Sequence, residues 1–208
     1  MNYHIPLIAD NYYHLFSRAV GQEKLFRSNE NYYYFLNKMK QHVLPVVDLY
    51  AYSLLPNHFH LVVRIKGEKE LMNFFEVKKS KPFNPSENYL PDFVMEQFSN
   101  WLNGYTKAFN KMYKRKGGLF MDYIKRNEAT KDSSLGSFIF YVHKNAKHHG
   151  LVKEIGDWPF DSYNSILSNK PTALKRNEVI EWFGSLQHFI EFHQQPVDLK
   201  SIDIDSSL

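Results

Sequence analysis

Residues 50–66 read YAYSLLPNHFHLVVRIK, and the reading of this stretch decides the architecture. Two runs rich in Val, Leu and aromatic residues flank Pro56-Asn57, a pair that favours a tight reversal. Residues 46–54 and 58–65 are therefore expected to be two antiparallel strands of a hairpin. Side chains alternate along a strand, so His58, His60, Val62 and Arg64 share one face, and Phe59, Leu61, Val63 and Ile65 share the other. The second face is uniformly apolar and should bury against helices. The first carries two imidazoles and a guanidinium, which a strand that only fills a core has little use for. Neutral imidazoles at i and i+2 on one strand face can reach a single divalent ion together. The spacing alone is cheap: ten histidines in 208 residues give about 0.5 His-x-His pairs by chance. Its weight comes from the strand setting and the shared facing, set against the simpler reading of a buried core histidine.

Working outward, residues 12–19 (YYHLFSRA) alternate and are expected as a first strand. Ser28 stands where an N-cap would open a helix over residues 29–42, which must end before Pro45. Residues 67–91 are lysine-rich and contain Pro82, Pro85 and Pro91, the composition of a long loop. Phe98, Leu102, Tyr105, Phe109 and Met112 mark the core stripe of a helix over residues 93–114. Gly117-Gly118 stops that helix, and residues 119–125 are the fourth strand candidate. Asp132 or Ser133 caps a further helix reaching about residue 149, with Gly150 as its stop. Residues 178–193 form another amphipathic helix, and residues 196–208 read as a loose tail. Strands and helices interleave, so the fold class is α+β, an antiparallel sheet with helices packed on it.

Composition narrows the function classes. The chain is 43% hydrophobic and 16% aromatic, as expected of a folded domain, and its net charge of +4 permits a nucleic-acid partner without demanding one. It has no cysteine, which excludes disulfides, thiolate nucleophiles and zinc–thiolate sites. No signal peptide is visible in the opening residues, and no run approaches the ~18 apolar residues of a membrane span. The expectation is a cytoplasmic protein with no membrane partner.

A site with two strand imidazoles needs further groups, and the helix over residues 133–149 can supply them. Leu135, Ile139, Val142 and Ala146 form its inward stripe, and Tyr141, Asn145 and His148 follow one another on an adjoining face at i, i+4 and i+7. Laid on the histidine face of the sheet, this helix would bring a phenol and an amide oxygen toward the imidazoles. Tyr-x-x-x-Asn also occurs at Tyr33/Asn37 and Tyr123/Asn127. The first belongs to an early helix where packing accounts for it; the second falls in an expected strand, where i and i+4 lie far apart. An ordinary boundary tyrosine beside a surface asparagine is the plain alternative for Tyr141 and Asn145.

Taken together, PNHFHLVV and YVHKNAKHHGLV resemble the His-hydrophobic-His signature and the tyrosine helix of HUH single-tyrosine transposases, in their REP-associated (RAYT) branch. YYHLFSRAVGQEKLFRSNENYYYFL is similar to that family's opening strand and helix, and DWPFDSYNSIL to its Trp…Ser-Tyr segment, so the likeness runs in order over residues 12–167. Ala146 departs from a common proline, and Ser17 and Ala19 replace the Asn and Gly that usually flank the arginine, here Arg18. The resemblance implies a ferredoxin-like fold, with an HUH domain over residues 1–170 and residues 171–208 as its extension. It implies cleavage and rejoining of single-stranded DNA beside hairpins through a 5′-phosphotyrosine, with Tyr141 as nucleophile. His58, His60 and Asn145 would hold Mg²⁺ or Mn²⁺, with His148 as an additional candidate. A homodimer and a nucleoid-associated location are compatible with it.

For DNA contacts the candidates are Arg18 and Arg64 on the histidine face and Lys111, Lys114, Arg115 and Lys116 in KMYKRKGG. The latter also suit a solvated helix end, where cations complement the dipole. Lys78, Lys79 and Lys81 serve solubility equally well. A protein that binds hairpin DNA or RNA without cutting it is the alternative from another class. A two-histidine phosphoesterase is a third, but it usually wants two His-x-Ser/Thr motifs, and only one His-x-His is present.

Overall fold

Alternation carries the sheet. The computed structural model describes residues 5–121, 124–129 and 135–195. Strand β1 (Tyr12–Arg18) lies between β3 (His58–Ile65) and β4 (Lys125–Ala129), and β2 (Val47–Leu55) pairs with β3 across the two-residue turn at Pro56-Asn57. Every neighbouring pair is antiparallel, and the order β2-β3-β1-β4 is that of a ferredoxin-like sheet. Opposed residues share a face. Phe16 stands opposite His60, Arg18 opposite His58, and Ser53 opposite His60 from the other side.

The apolar face is the one that α1 (Asn29–His42) and α3 (Leu90–Met112) cover. Phe59 packs against Phe35 of α1 at 5.4 Å and Trp101 of α3 at 5.2 Å between ring centroids, and all three are fully buried. Burying each such ring stabilises the fold by ~1.5–3 kcal/mol. Ser28 does open α1, and the Asn31 side-chain oxygen takes the Arg27 and Ser28 amides at 2.9 and 3.3 Å. The histidine face is covered by α4 (Leu135–His148), whose expected inward residues Leu135, Ile139, Val142 and Ala146 are all buried. Gly150, at φ +68°, ends it, and Leu151 N–H returns to the Ala146 carbonyl at 3.0 Å.

Three expectations need correction. Residues 67–91 are not one loop: α2 (Glu68–Lys79) occupies the first half, with Leu71 and Phe75, one turn apart, buried and Val77 left exposed. The C-terminal helix is broken in two, α6 (Arg176–Trp182) and α7 (Leu186–Gln194), because Gly184 takes φ +82°, a left-handed conformation. The fourth strand is shifted to the polar run Lys125–Ala129, which shares only Lys125 with the expected span; among the described residues 119–121, Phe120 makes an isolated bridge to Ala19. A charged edge strand is how sheets avoid pairing with other chains. The cap at Asp132 or Ser133, Tyr123 and the tail over 196–208 lie outside the described residues.

The other sheet edge is covered by the chain itself. Leu54 N–H reaches the Phe160 carbonyl at 2.9 Å and Ser162 N–H reaches Tyr52 O at 2.9 Å, so residues 160–162 lie along β2 ahead of the short helix α5 (Tyr163–Leu167). Among the described residues, no helix is long and apolar enough to cross a membrane.

Candidate active site

Tyr141 and Asn145 are one helical turn apart on α4 and face the sheet together, which follows from i, i+4 spacing once the apolar stripe has seated the helix. Asn145 is fully buried between the two histidines. Its Oδ1 lies 3.2 Å from His58 Nε2 and its Nδ2 lies 3.3 Å from His60 Nε2. The Tyr141 ring stands edge-on to the His60 ring, with centroids 5.4 Å apart, and leaves 8% of the residue exposed. The structure thus gathers His58, His60, Asn145 and Tyr141 at one place between β3 and α4.

Burial pushes His58 down to about 4; the hydrogen bond that a protonated ring would give to Asn145 opposes this, and the charges of His149 and Arg18 add to it. Burial also holds His60 well below the ordinary imidazole range, with His14, His58 and His149 acting in the same direction. Both are therefore neutral at pH 7, the form in which a ring nitrogen donates to a metal. Among the described residues, no group of three or more His, Cys, Asp or Glu side chains could hold a metal ion. The Asn145 amide oxygen is a further donor atom beside the two imidazoles.

The donor set fits a divalent cation. His58 Nδ1 lies 2.8 Å from Asn57 Oδ1, which can only accept, so the ring proton belongs on Nδ1. His58 Nε2 and Asn145 Oδ1 are then two lone pairs facing one another at 3.2 Å, an arrangement a cation between them relieves. Imidazole nitrogens and an amide oxygen are donors that a divalent cation accepts, with water filling further positions.

The other candidates fall into two groups. Arg18 stands directly opposite His58, at the same end of the sheet. Leu119 to Met121 run beside it, with Val20 N–H to Leu119 O at 3.0 Å and Met121 N–H to Arg18 O at 2.9 Å, so the basic turn before Leu119 reaches the same end. In that turn Lys111, Lys114 and Lys116 are exposed. Arg115 is engaged: its guanidinium holds Glu23 at 3.0 Å and the Gly118 carbonyl at 2.7 Å. Arg64 shares the histidine face but lies six residues along β3, ~20 Å from His58. There it donates to the buried Asp48 at 2.7 Å. His148 is exposed at the end of α4, and its neighbour His149 is the one against His58, 4.9 Å between rings.

Two site residues escaped the sequence reading. His14 of β1 is fully buried with its Nε2 2.9 Å from His60 Nδ1, and Asn57 of the hairpin turn reaches His58. Alternation along YYHLFSR places His14 on the face of Arg18, which was the available signal; its reach to His60 depends on the β1–β3 register.

The tyrosine helix is itself held from behind. Tyr52 N–H donates to Ser162 Oγ at 2.9 Å, and Ser162 Oγ lies 2.7 Å from His143 Nε2. His143 Nδ1 lies 3.0 Å from His193 Nε2, and His193 Nδ1 donates to the Phe189 carbonyl at 2.7 Å. Since a carbonyl only accepts, each proton in this chain is assigned: His193 donates at Nδ1, His143 donates to His193, and the Ser162 hydroxyl donates to His143. The chain ties β2, α5, α4 and α7 together through buried neutral groups.

No protein-family model matches the sequence, and no curated protein matches it. Solved structures do: seven chains match, among them the structure of "the REP associates tyrosine transposase bound to a REP hairpin". That likeness has a TM-score of 0.57 at 12% identity and covers 82% of this chain and 88% of the other. The chain therefore has the fold of a REP-associated tyrosine transposase, an antiparallel ferredoxin-like sheet with helices packed on it.

Proposed function

We propose that the chain is a metal-dependent tyrosine nuclease of the HUH type, which cuts and rejoins single-stranded DNA beside hairpins. The observation that carries this reading is the convergence of His58 Nε2 and His60 Nε2 on one Asn145 amide, with Tyr141 a single turn away on the same helix. The fold likeness to a transposase bound to a hairpin supports the choice of hairpin DNA as partner.

The residues divide the work. Tyr141 is the nucleophile: its phenol oxygen attacks the scissile phosphorus as the phenol proton passes to solvent, the P–O3′ bond breaks, and the 3′ oxygen takes a proton from solvent and leaves as a hydroxyl. A phenol with a pKa near ~10 is a weak nucleophile at neutral pH, so positioning matters most. His58, His60 and Asn145 would hold Mg²⁺ or Mn²⁺, which when bound polarises the phosphate and offsets charge on its oxygens. Arg18, beside His58, supplies a fixed positive charge where the phosphate would lie. The 5′-phosphotyrosine conserves the phosphodiester bond, so a 3′-hydroxyl can reverse the step without ATP. Lys111, Lys114 and Lys116 would track the hairpin backbone at the same end of the sheet.

Incubation of labelled single-stranded hairpin oligonucleotides with protein and Mn²⁺, followed by denaturing electrophoresis, tests this reading. A covalent adduct that disappears in Tyr141→Phe is the expected result. Cleavage that survives Tyr141→Phe, or tight binding with no cleavage of any hairpin, overturns it; the latter would mark a binding protein that does not cut.

A further inference from the structure

Each site histidine has a second ring nitrogen, and both are already committed. His58 Nδ1 meets Asn57 Oδ1 at 2.8 Å, and His60 Nδ1 meets His14 Nε2 at 2.9 Å. His14 is fully buried, its ring stacked 5.1 Å from His60 with the planes 9° apart, and it packs against Phe16 at 5.0 Å and Phe138 at 5.2 Å. Its own Nδ1 is buried and has no hydrogen-bond partner among the described residues. A buried polar atom left unpaired costs ~1–3 kcal/mol, and a phenylalanine or leucine would fill the same space without that cost. Packing alone therefore gives no reason for a histidine at position 14.

Proton bookkeeping gives one. A neutral imidazole has one proton, so a ring nitrogen that ligates a metal must be bare and the other must carry it. We infer that His14 is a positioning residue for the metal site: by accepting at Nε2 it holds the His60 proton on Nδ1 and leaves His60 Nε2 bare, as Asn57 Oδ1 does for His58. To accept at Nε2, His14 must keep its own proton on Nδ1, the atom without a partner. The tautomer that serves His60 is the one that leaves His14 unsatisfied. Cost and function thus share one origin. This assignment rests on the metal-binding reading of His58, His60 and Asn145.

The test uses the whole chain, with Mn²⁺ as probe, in the unsubstituted protein and in His14→Leu, His14→Gln, His58→Ala and His60→Ala. Calorimetric titration gives the Mn²⁺ affinity, nitrogen-detected NMR of the metal-free protein gives the His60 tautomer, and thermal melting reports folding. Loss of a group that orients a ligand should weaken Mn²⁺ binding ~10–100-fold in His14→Leu. The His60 proton should move toward Nε2 in that variant, with the melting midpoint unchanged or raised. His14→Gln, which can present an amide oxygen, should recover most of the affinity. A folded His14→Leu that binds Mn²⁺ within about twofold of the unsubstituted protein overturns the inference. So does a His60 proton found on Nε2 in the unsubstituted protein, a result that needs no variant to fold. If His58→Ala and His60→Ala abolish Mn²⁺ binding and His14→Leu does not alter it, the role of His14 alone falls. If neither alters Mn²⁺ binding, the metal reading falls and the inference with it.

Discussion

At the residue scale the site is a problem of protonation and lone pairs. His58 and His60 were legible as a pair because strand alternation set them apart from Phe59, Leu61, Val63 and Ile65, and Tyr141 and Asn145 because i, i+4 spacing aligned them. Their meeting was not legible, since it depends on where α4 lands on the sheet. His14 and Asn57 were missed for a related reason: what defines them is the ring nitrogen they face, across a strand or at a turn. Asn145 Nδ2 donates to the buried His60 Nε2, so Asn145→Ala should cost ~1–3 kcal/mol of stability in urea titrations and, through its Oδ1, also weaken Mn²⁺ binding. An Asn145→Ala protein with unchanged Mn²⁺ affinity would remove the amide oxygen from the ligand set.

At the scale of elements, the amphipathic pieces with long apolar stripes, α1, α3 and α4, were readable from sequence, and the short ones were not. Helix α2 buries only Leu71 and Phe75; Met72, Phe74 and Val77 blur that stripe, and the lysines and prolines of 67–91 outweighed it. Strand β4 is five residues long and polar, with only Arg126 and Ala129 buried, so it offers no apolar alternation to read. The division of α6 from α7 turns on the positive φ of Gly184, which one glycine in a helical pattern does not announce. Helix α7 matters because it holds the tyrosine helix through His143 and His193. His193→Ala should cost ~2–4 kcal/mol in urea unfolding, from the cavity and from the stranded His143 N–H. A loss below ~0.5 kcal/mol would show that the relay does not fasten α7. The basic turn divides similarly. Arg115→Ala should lower the melting midpoint, since Arg115 ties Glu23 to the Gly118 carbonyl. Lys111→Ala and Lys116→Ala should leave melting unchanged and reduce the salt slope of hairpin binding by ~0.7–0.9 each. An unchanged slope would place the DNA elsewhere.

Over the whole molecule, the buried imidazoles set the response to acid. Burial lowers His14 to about 3, His58 to about 4 and His193 to about 4, and holds His60 and His143 well below the usual range. Groups depressed in the folded state bind more protons when unfolded, so their contribution is whole above pH ~6.5 and declines as pH falls toward their folded values. For His193 alone the loss at pH 5 is ~2 kcal/mol. Asp161 acts in the opposite sense: burial raises it to about 7, so the folded state holds its proton and gains ~2.5 kcal/mol over the same descent. Several histidines outweigh one carboxyl, so metal-free protein should unfold at lower urea at pH 5 than at pH 7.5; an equal or higher midpoint would contradict the neutral cluster. Mass-spectrometric mapping of the peptide that carries DNA, after reaction with a hairpin oligonucleotide and Mn²⁺, shows whether Tyr141 makes the cut. A 5′-phosphate-linked nucleotide on Tyr141 is the expected result. A nucleotide on another tyrosine, or cleaved DNA with no nucleotide-bearing peptide, would contradict it.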